Sequence, residues 1–292
     1  MKTIFKKSHL PFLKPTLKNG SGRDLWTLTR MMQDENGLQH QLSAEIMLLE
    51  RGAQKGDLWS MCELARTYFY HCGDTYLPMA LYYWIKAAMK NDEGAKYDLA
   101  HAPIYERILS YQSFDGNKYK EIEMKCALLT EFYLHKPWQG NWNTLDDYTR
   151  DIRCKELVKI ACAILQIPEV DFTIISNLSF QGNIVDGLAG WDNKVSIRKE
   201  ILIDLERVIE VIFHELGHIV TFEIRRRTPL GYKLKEIYGI TDDRIAAWEN
   251  NMMGYEVVTF EEDPDTLSYG IYILWATFFI HYNRILLLYF IH

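Results

Sequence analysis

The sequence has little that would place it in an oxidising compartment or on nucleic acid. Its five cysteines, Cys62, Cys72, Cys126, Cys154 and Cys162, are an odd number with no CxxC pair. That spacing indicates neither a disulfide framework nor a thiolate zinc site, and it suits a reducing compartment. There is no excess of positive charge: the formal net charge is -6, and the only basic cluster is Arg225, Arg226 and Arg227. Such a balance leaves no electrostatic footprint for nucleic acid, so the three arginines read as a solvated helix end. The stretch MKTIFKKSHLPFLKP lacks both the apolar run and the small-residue cleavage site of a secretory signal, and a cytoplasmic location is expected. Long unbroken apolar runs are missing too. The greasy segment 266–292 is split by His281, Asn283 and Arg284 into pieces shorter than the roughly 18 residues a membrane span needs. A buried C-terminal helix is expected there, with a membrane-embedded tail as the alternative.

What is present is apolar substance: 292 residues, 48% hydrophobic and 13% aromatic, enough for one large domain or two ordinary ones. Part of it is periodic. GDLWSMCELA at 56–65 and NDEGAKYDLA at 91–100 align at an offset of 35 residues, with Tyr68, Gly73, Ala80, Trp84, Ala87 and Ala88 between them. Small residues and aromatics so spaced read as helix, turn, helix. The segment GDLWSMCELARTYFYHCGDTYLPMALYYWIKAAMKN resembles the Sel1-like repeat, a relative of the tetratricopeptide repeat. It has one full unit at 56–91 and half units on either side. Ala65 and Asn91 stand where that family usually has glycine, and Met79 where it usually has lysine. The resemblance implies a scaffold for protein contacts and no chemistry.

Beyond a boundary placed at 140, the pattern predicts a helix over 145–165 closed by Pro168, then a β-branched strand at 170–176. Gly182, Gly187 and Gly190 mark turns, and Val195, Ile197 and Ile201 alternate as a second strand whose charged Arg198, Lys199 and Glu200 suit a sheet edge. Asp204 is a natural N-cap for the helix that follows, which is apolar nearly all round and therefore buried.

Inside that helix stands HELGH, residues 214–218. His214 and His218 are four apart, so both imidazoles leave one face and can share an ion. Glu215 lies beside that ion, where it can take a proton from a water. Phe213, Leu216, Gly217 and Ile219 around them are uncharged, and burying three ionisable groups without a common purpose would be costly. This is the HExxH motif of zinc metallopeptidases. The metzincin extension is absent, since Thr221 and Ile224 replace its glycine and third histidine. A downstream carboxylate is therefore expected from the helical pattern at 242–263, whose apolar stripe is Ile245, Trp248, Met252 and Tyr255. Glu249 leads, with Glu256 as the alternate and Asp243 third.

Residues 145–262 thus resemble the gluzincin class of zincin peptidases. The resemblance implies zinc on His214, His218 and Glu249, with Glu215 as general base. It also implies an edge strand, expected at 190–197 with Val195 and Ile197, that pairs with an extended peptide. Tyr232, Tyr238 and Tyr255 are available as oxyanion donors, with nothing to choose among them. The fold expected is α+β and mostly helical: an N-terminal segment 1–41, a Sel1-like helical module 42–140, a compact zincin-like domain 141–265 with a small sheet, active-site helix and glutamate helix, and the hydrophobic segment 266–292. The expected function is zinc-dependent peptide hydrolysis; the alternative is a protein-interaction scaffold whose zincin-like domain is inactive. A peptide or protein substrate and a partner on the repeats are the expected contacts, and no nucleic acid is.

Overall fold

The computed structural model describes residues 18–36, 42–134, 142–243, 245 and 246. It is mostly helical with a small sheet. The described residues fall into two compact units, the first running to Ile104 and the second beginning at Tyr105.

The first unit is built from helices α1 (Gly22–Asn36), α2 (Leu42–Gln54), α3 (Leu58–His71), α4 (Leu77–Met89) and α5 (Glu93–His101). Each packs on its sequence neighbour, as short connections between amphipathic helices require. The 35-residue period is visible in the turns. Asp57 caps α3 by accepting from Ser60 N, and Asp92 caps α5 by accepting from Ala95 N, both at 2.8 Å. The preceding turns repeat as well: Asp57 N donates to Gly52 O and Asp92 N to Ala87 O, each at 3.1 Å. Such a helix end needs a left-handed residue just before its last donor. Gly56 supplies it at φ 85° and Asn91 at φ 64°. Asn91 therefore replaces the expected glycine without breaking the turn, because asparagine tolerates that conformation.

The core of this unit centres on Trp84, fully buried against Phe69 with ring centroids 5.1 Å apart. Its Nε1 donates to Asp98 Oδ2 at 3.1 Å, and the same carboxylate accepts from Arg66 Nε at 2.7 Å and from Cys62 Sγ at 3.3 Å. One acidic side chain thus ties three helices together.

The second unit contains α6 (Ile104–Ser110), α7 (Lys118–Leu134), α8 (Asp147–Leu165), α9 (Leu205–Arg225) and α10 (Pro229–Ile237). Helix α7 packs against α8 and α9, so the division falls near 104 and not at the expected 140. Helix α8 ends at Gln166 in the left-handed region, φ 60°, two residues before Pro168. Strands β1 (Asp171–Ile175), β4 (Gly187–Ala189) and β5 (Lys194–Arg198) form a three-stranded sheet in the order β1-β5-β4. β1 runs parallel to β5, and β4 antiparallel to it. Strands β2 (Ser179–Phe180) and β3 (Asn183–Ile184) make a separate hairpin, turned by Gln181 and Gly182 at positive φ.

Three expectations are corrected here. β5 is the middle strand, so Val195 and Ile197 present no open edge; both are fully buried beneath α9. Ile201 lies in a 3-10 turn, Lys199–Ile203, and not in a strand. Gly187 sits within β4 and not in a turn. The segment 266–292 lies outside the described residues, and no helix among the described ones is long and apolar enough to cross a membrane.

Helix α10 approaches α9 so closely that a Cβ on Gly231 would collide with the carbonyl oxygen of Glu223 and lie 3.2 Å from that of Ile224. Backbone cannot move aside as a flexible side chain can. Gly231→Ala is expected to lower stability by about 1–3 kcal/mol, read as a fall in the urea midpoint, whereas serine at exposed Gly73, which has nothing within 4 Å, should change it little.

Candidate metal centre

Helix α9 starts at Asp204, whose side chain accepts from Arg207 N at 3.2 Å, as the sequence indicates. Its buried stripe of Val208, Ile209, Ile212, Phe213, Leu216, Ile219 and Val220 fixes its rotation against β4 and β5. That rotation sends His214 and His218 out on the same side, one turn apart.

Their Nε2 atoms converge to 3.1 Å with the rings nearly perpendicular, at 85°. Zinc–nitrogen bonds are about 2.0–2.1 Å, and two nitrogens at this separation then subtend about 100° at one ion, close to tetrahedral. Burial lowers the pKa of His214, with Glu210 opposing and Arg207 reinforcing it. Burial and the neighbouring imidazole bring His218 down to about 3. Both rings are therefore neutral at neutral pH, the state a metal requires. Imidazole nitrogens are donors zinc takes; without a metal, the same 3.1 Å contact is a hydrogen bond between the two rings.

Glu215, about 60–100° around the helix from the two histidines, packs against Gly187 of β4 and is buried, 6% exposed. Burial pushes its carboxyl up to about 8, against a backbone hydrogen bond from Ala189 N–H. At that value the carboxyl is mostly protonated at neutral pH; a cation bound nearby would favour its carboxylate, the form a general base requires. Gly187 makes the approach possible: a Cβ there would lie 2.7 Å from both Glu215 Cγ and Val211 Cγ1. β4 thus packs its bare backbone on the carboxyl.

Asp186, at the start of β4, holds that strand in place. It accepts from Arg198 Nη2 of β5 and from Arg207 Nη2 of α9, each at 2.6 Å. Burial opposes ionisation of Asp186, but the two guanidinium pairs outweigh it and its pKa is lowered. A carboxyl whose folded pKa lies below its unfolded value stabilises above the unfolded pKa and loses that contribution as pH falls through the folded one. Asp186→Asn is expected to cost about 1–2 kcal/mol at neutral pH, allowing for the partial exposure of the pairs. The gap from wild type should narrow below about pH 4; thermal melts across pH check this.

Glu249 and Glu256 lie outside the described residues, as does Tyr255. Asp243 is exposed, and among the described residues no third histidine, cysteine, aspartate or glutamate joins the pair. Tyr238 is buried, with its hydroxyl directed to Leu165 O at 3.4 Å and its ring on Tyr119, so it is a packing residue. Tyr232 is 58% exposed on α10. The motif did not reveal Gly187, Ala189 or Asp186; a glycine in GLAG signals a turn as readily as a close approach.

No family model matches the chain, and comparison with curated proteins and with solved structures likewise gives no match.

Proposed function

We propose that the chain is a zinc-dependent metallopeptidase of zincin type. The observation that carries the proposal is the convergence of two neutral imidazole nitrogens at 3.1 Å on a helix that also holds the buried carboxyl of Glu215. His214 and His218 hold the metal, and Glu249, with Glu256 as alternate, completes the set. When bound, zinc would supply Lewis-acid chemistry to the scissile carbonyl and to a water, and Glu215, as its carboxylate, would take that water's proton and return it to the leaving amine.

The edge that pairs with an extended peptide is β4, which replaces the expected β5. Gly190 N donates to Lys194 O and Arg198 N to Asp186 O, each at 2.8 Å. Residues 186, 188 and 190 therefore bond to β5, and Gly187 and Ala189 turn their backbone groups outward. Ala189 uses its N–H on Glu215, and among the described residues its carbonyl and both backbone groups of Gly187 have no backbone partner, so a peptide could bond there.

All five cysteines are free thiols, in keeping with a cytoplasmic protein. The repeated turns of the first unit favour a Sel1-like module that presents a protein partner. In the alternative reading that module is the whole function and the second unit is an inactive zincin-like domain. Zinc content separates the first reading from a relic: about one zinc per chain is expected, lost in His218→Ala, and a wild type that takes up no zinc would sink the peptidase.

A further inference from the structure

The loop between β4 and β5 carries a side chain that its own geometry does not require. Gly190 and Asn193 close the loop through backbone, with Asn193 N donating to Gly190 O at 3.1 Å and Asn193 in the left-handed region at φ 61°. Arg226 ties the loop to the end of α9: one nitrogen donates to Asn193 Oδ1 at 3.2 Å, and another to the carbonyl of Trp191. None of these bonds involves the indole. The position is nonetheless a tryptophan, 45% exposed, and what surrounds its ring decides how it is read.

Its surroundings say which one. Phe222 lies one turn beyond His218 on α9, and its ring runs nearly parallel to the imidazole at 20°, with centroids 6.2 Å apart. Trp191 stacks on Phe222 at 4.4 Å and 21°. The guanidinium of Arg225 sits 4.8 Å from the indole centroid and fixes the ring further. From His218 an aromatic shelf therefore leads through Phe222 to the partly exposed indole. Trp191 is also only two residues beyond Ala189, the last residue of β4. A peptide paired along β4 passes beside this shelf, since residues in an extended chain advance about 3.3 Å each.

We infer that Trp191, backed by Phe222, is a specificity-determining residue that receives a large apolar side chain, leucine or phenylalanine in type, of a peptide lying along β4 next to the histidine pair. The inference rests on the metallopeptidase reading. An indole held by stacking has little rotational freedom left to lose on binding, and a rigid ring beside an apolar side chain gains contact area at low entropic cost.

The test uses the full chain loaded with zinc, and three short peptide hydroxamates that differ only in one residue beside the hydroxamate: glycine, leucine or phenylalanine. Calorimetric titration gives each Kd. In wild type the leucine and phenylalanine compounds should bind about tenfold or more tightly than the glycine compound, the factor expected for burying much of a large apolar side chain. In Trp191→Ala that preference should shrink to about threefold or less while the glycine compound keeps its affinity, and Trp191→Phe should retain most of it. Equal binding of all three by wild type would overturn the inference, as would a preference that survives in Trp191→Ala. A glycine compound weakened as much as the others in Trp191→Ala would make the residue structural and overturn it as well. If no hydroxamate binds the zinc-loaded protein, the metallopeptidase reading itself fails and takes the inference with it.

Discussion

Glutamine in place of Glu215 is expected to lower peptide-bond hydrolysis about 10²–10⁴-fold, the usual contribution of a positioned general base, while zinc content stays at the wild-type level. The substitution is nearly isosteric, so β4 keeps its seat: Gly187 still meets a group of the same shape, and Ala189 N–H still finds the amide oxygen as acceptor. What is lost is the ability to accept a proton. His214 and His218 leave the helix on their shared face independently of this side chain, and their convergence at 3.1 Å is set by the rotation of α9. Turnover on a protein substrate, measured beside zinc content, checks the pair of outcomes. Full activity in Glu215→Gln would remove Glu215 from the chemistry, and loss of zinc would make it a ligand or a prop for one.

Trp84→Ala should have the largest effect on stability, about 3–5 kcal/mol. The indole is fully buried at the centre of the first unit, touching Phe69, and its Nε1 feeds the Asp98 carboxylate that also binds Arg66 and Cys62. Removing it leaves a cavity and takes one donor from a largely buried acceptor. Trp84→Phe keeps most of the apolar volume and loses only the N–H, so a smaller loss of about 1–2 kcal/mol is expected. Urea unfolding of the full chain measures both. Equal losses for the two variants would show that the hydrogen bond, and not the packing, carries the contribution of Trp84.

The local elements were largely legible in the sequence. The N-cap at Asp204, the apolar circumference of α9, the β-branched run of β1 and the 35-residue spacing of Asp57 and Asp92 are short-range signals, and local hydrogen bonding decides them. The histidine pair belongs with these, because four residues on a helix fix a face. The order of strands was not legible. Whether β4 or β5 lies outermost depends on pairing between segments apart in sequence, and the charges at 198–200 that suggested an edge have other uses: Arg198 pairs inward with Asp186. Gly187 was misread for a related reason, since glycine permits both a turn and a close approach and only the position of Glu215 distinguishes them. The proposed third ligand, Glu249, lies outside the described residues, and spacing alone does not determine it. Trp191 carried no motif, and its place beside Phe222 emerged only once β4 lay against α9.

His214 and His218 are proposed to hold one zinc ion jointly. X-ray absorption at the zinc edge, on full chain loaded with one equivalent, reads the donors directly. Two imidazole nitrogens at about 2.0–2.1 Å with the remaining donors oxygen are expected, together with loss of imidazole scattering in the variant lacking both histidines. A sulfur shell at about 2.3 Å, or a spectrum unchanged by removing the histidines, would place the metal elsewhere and contradict that proposal.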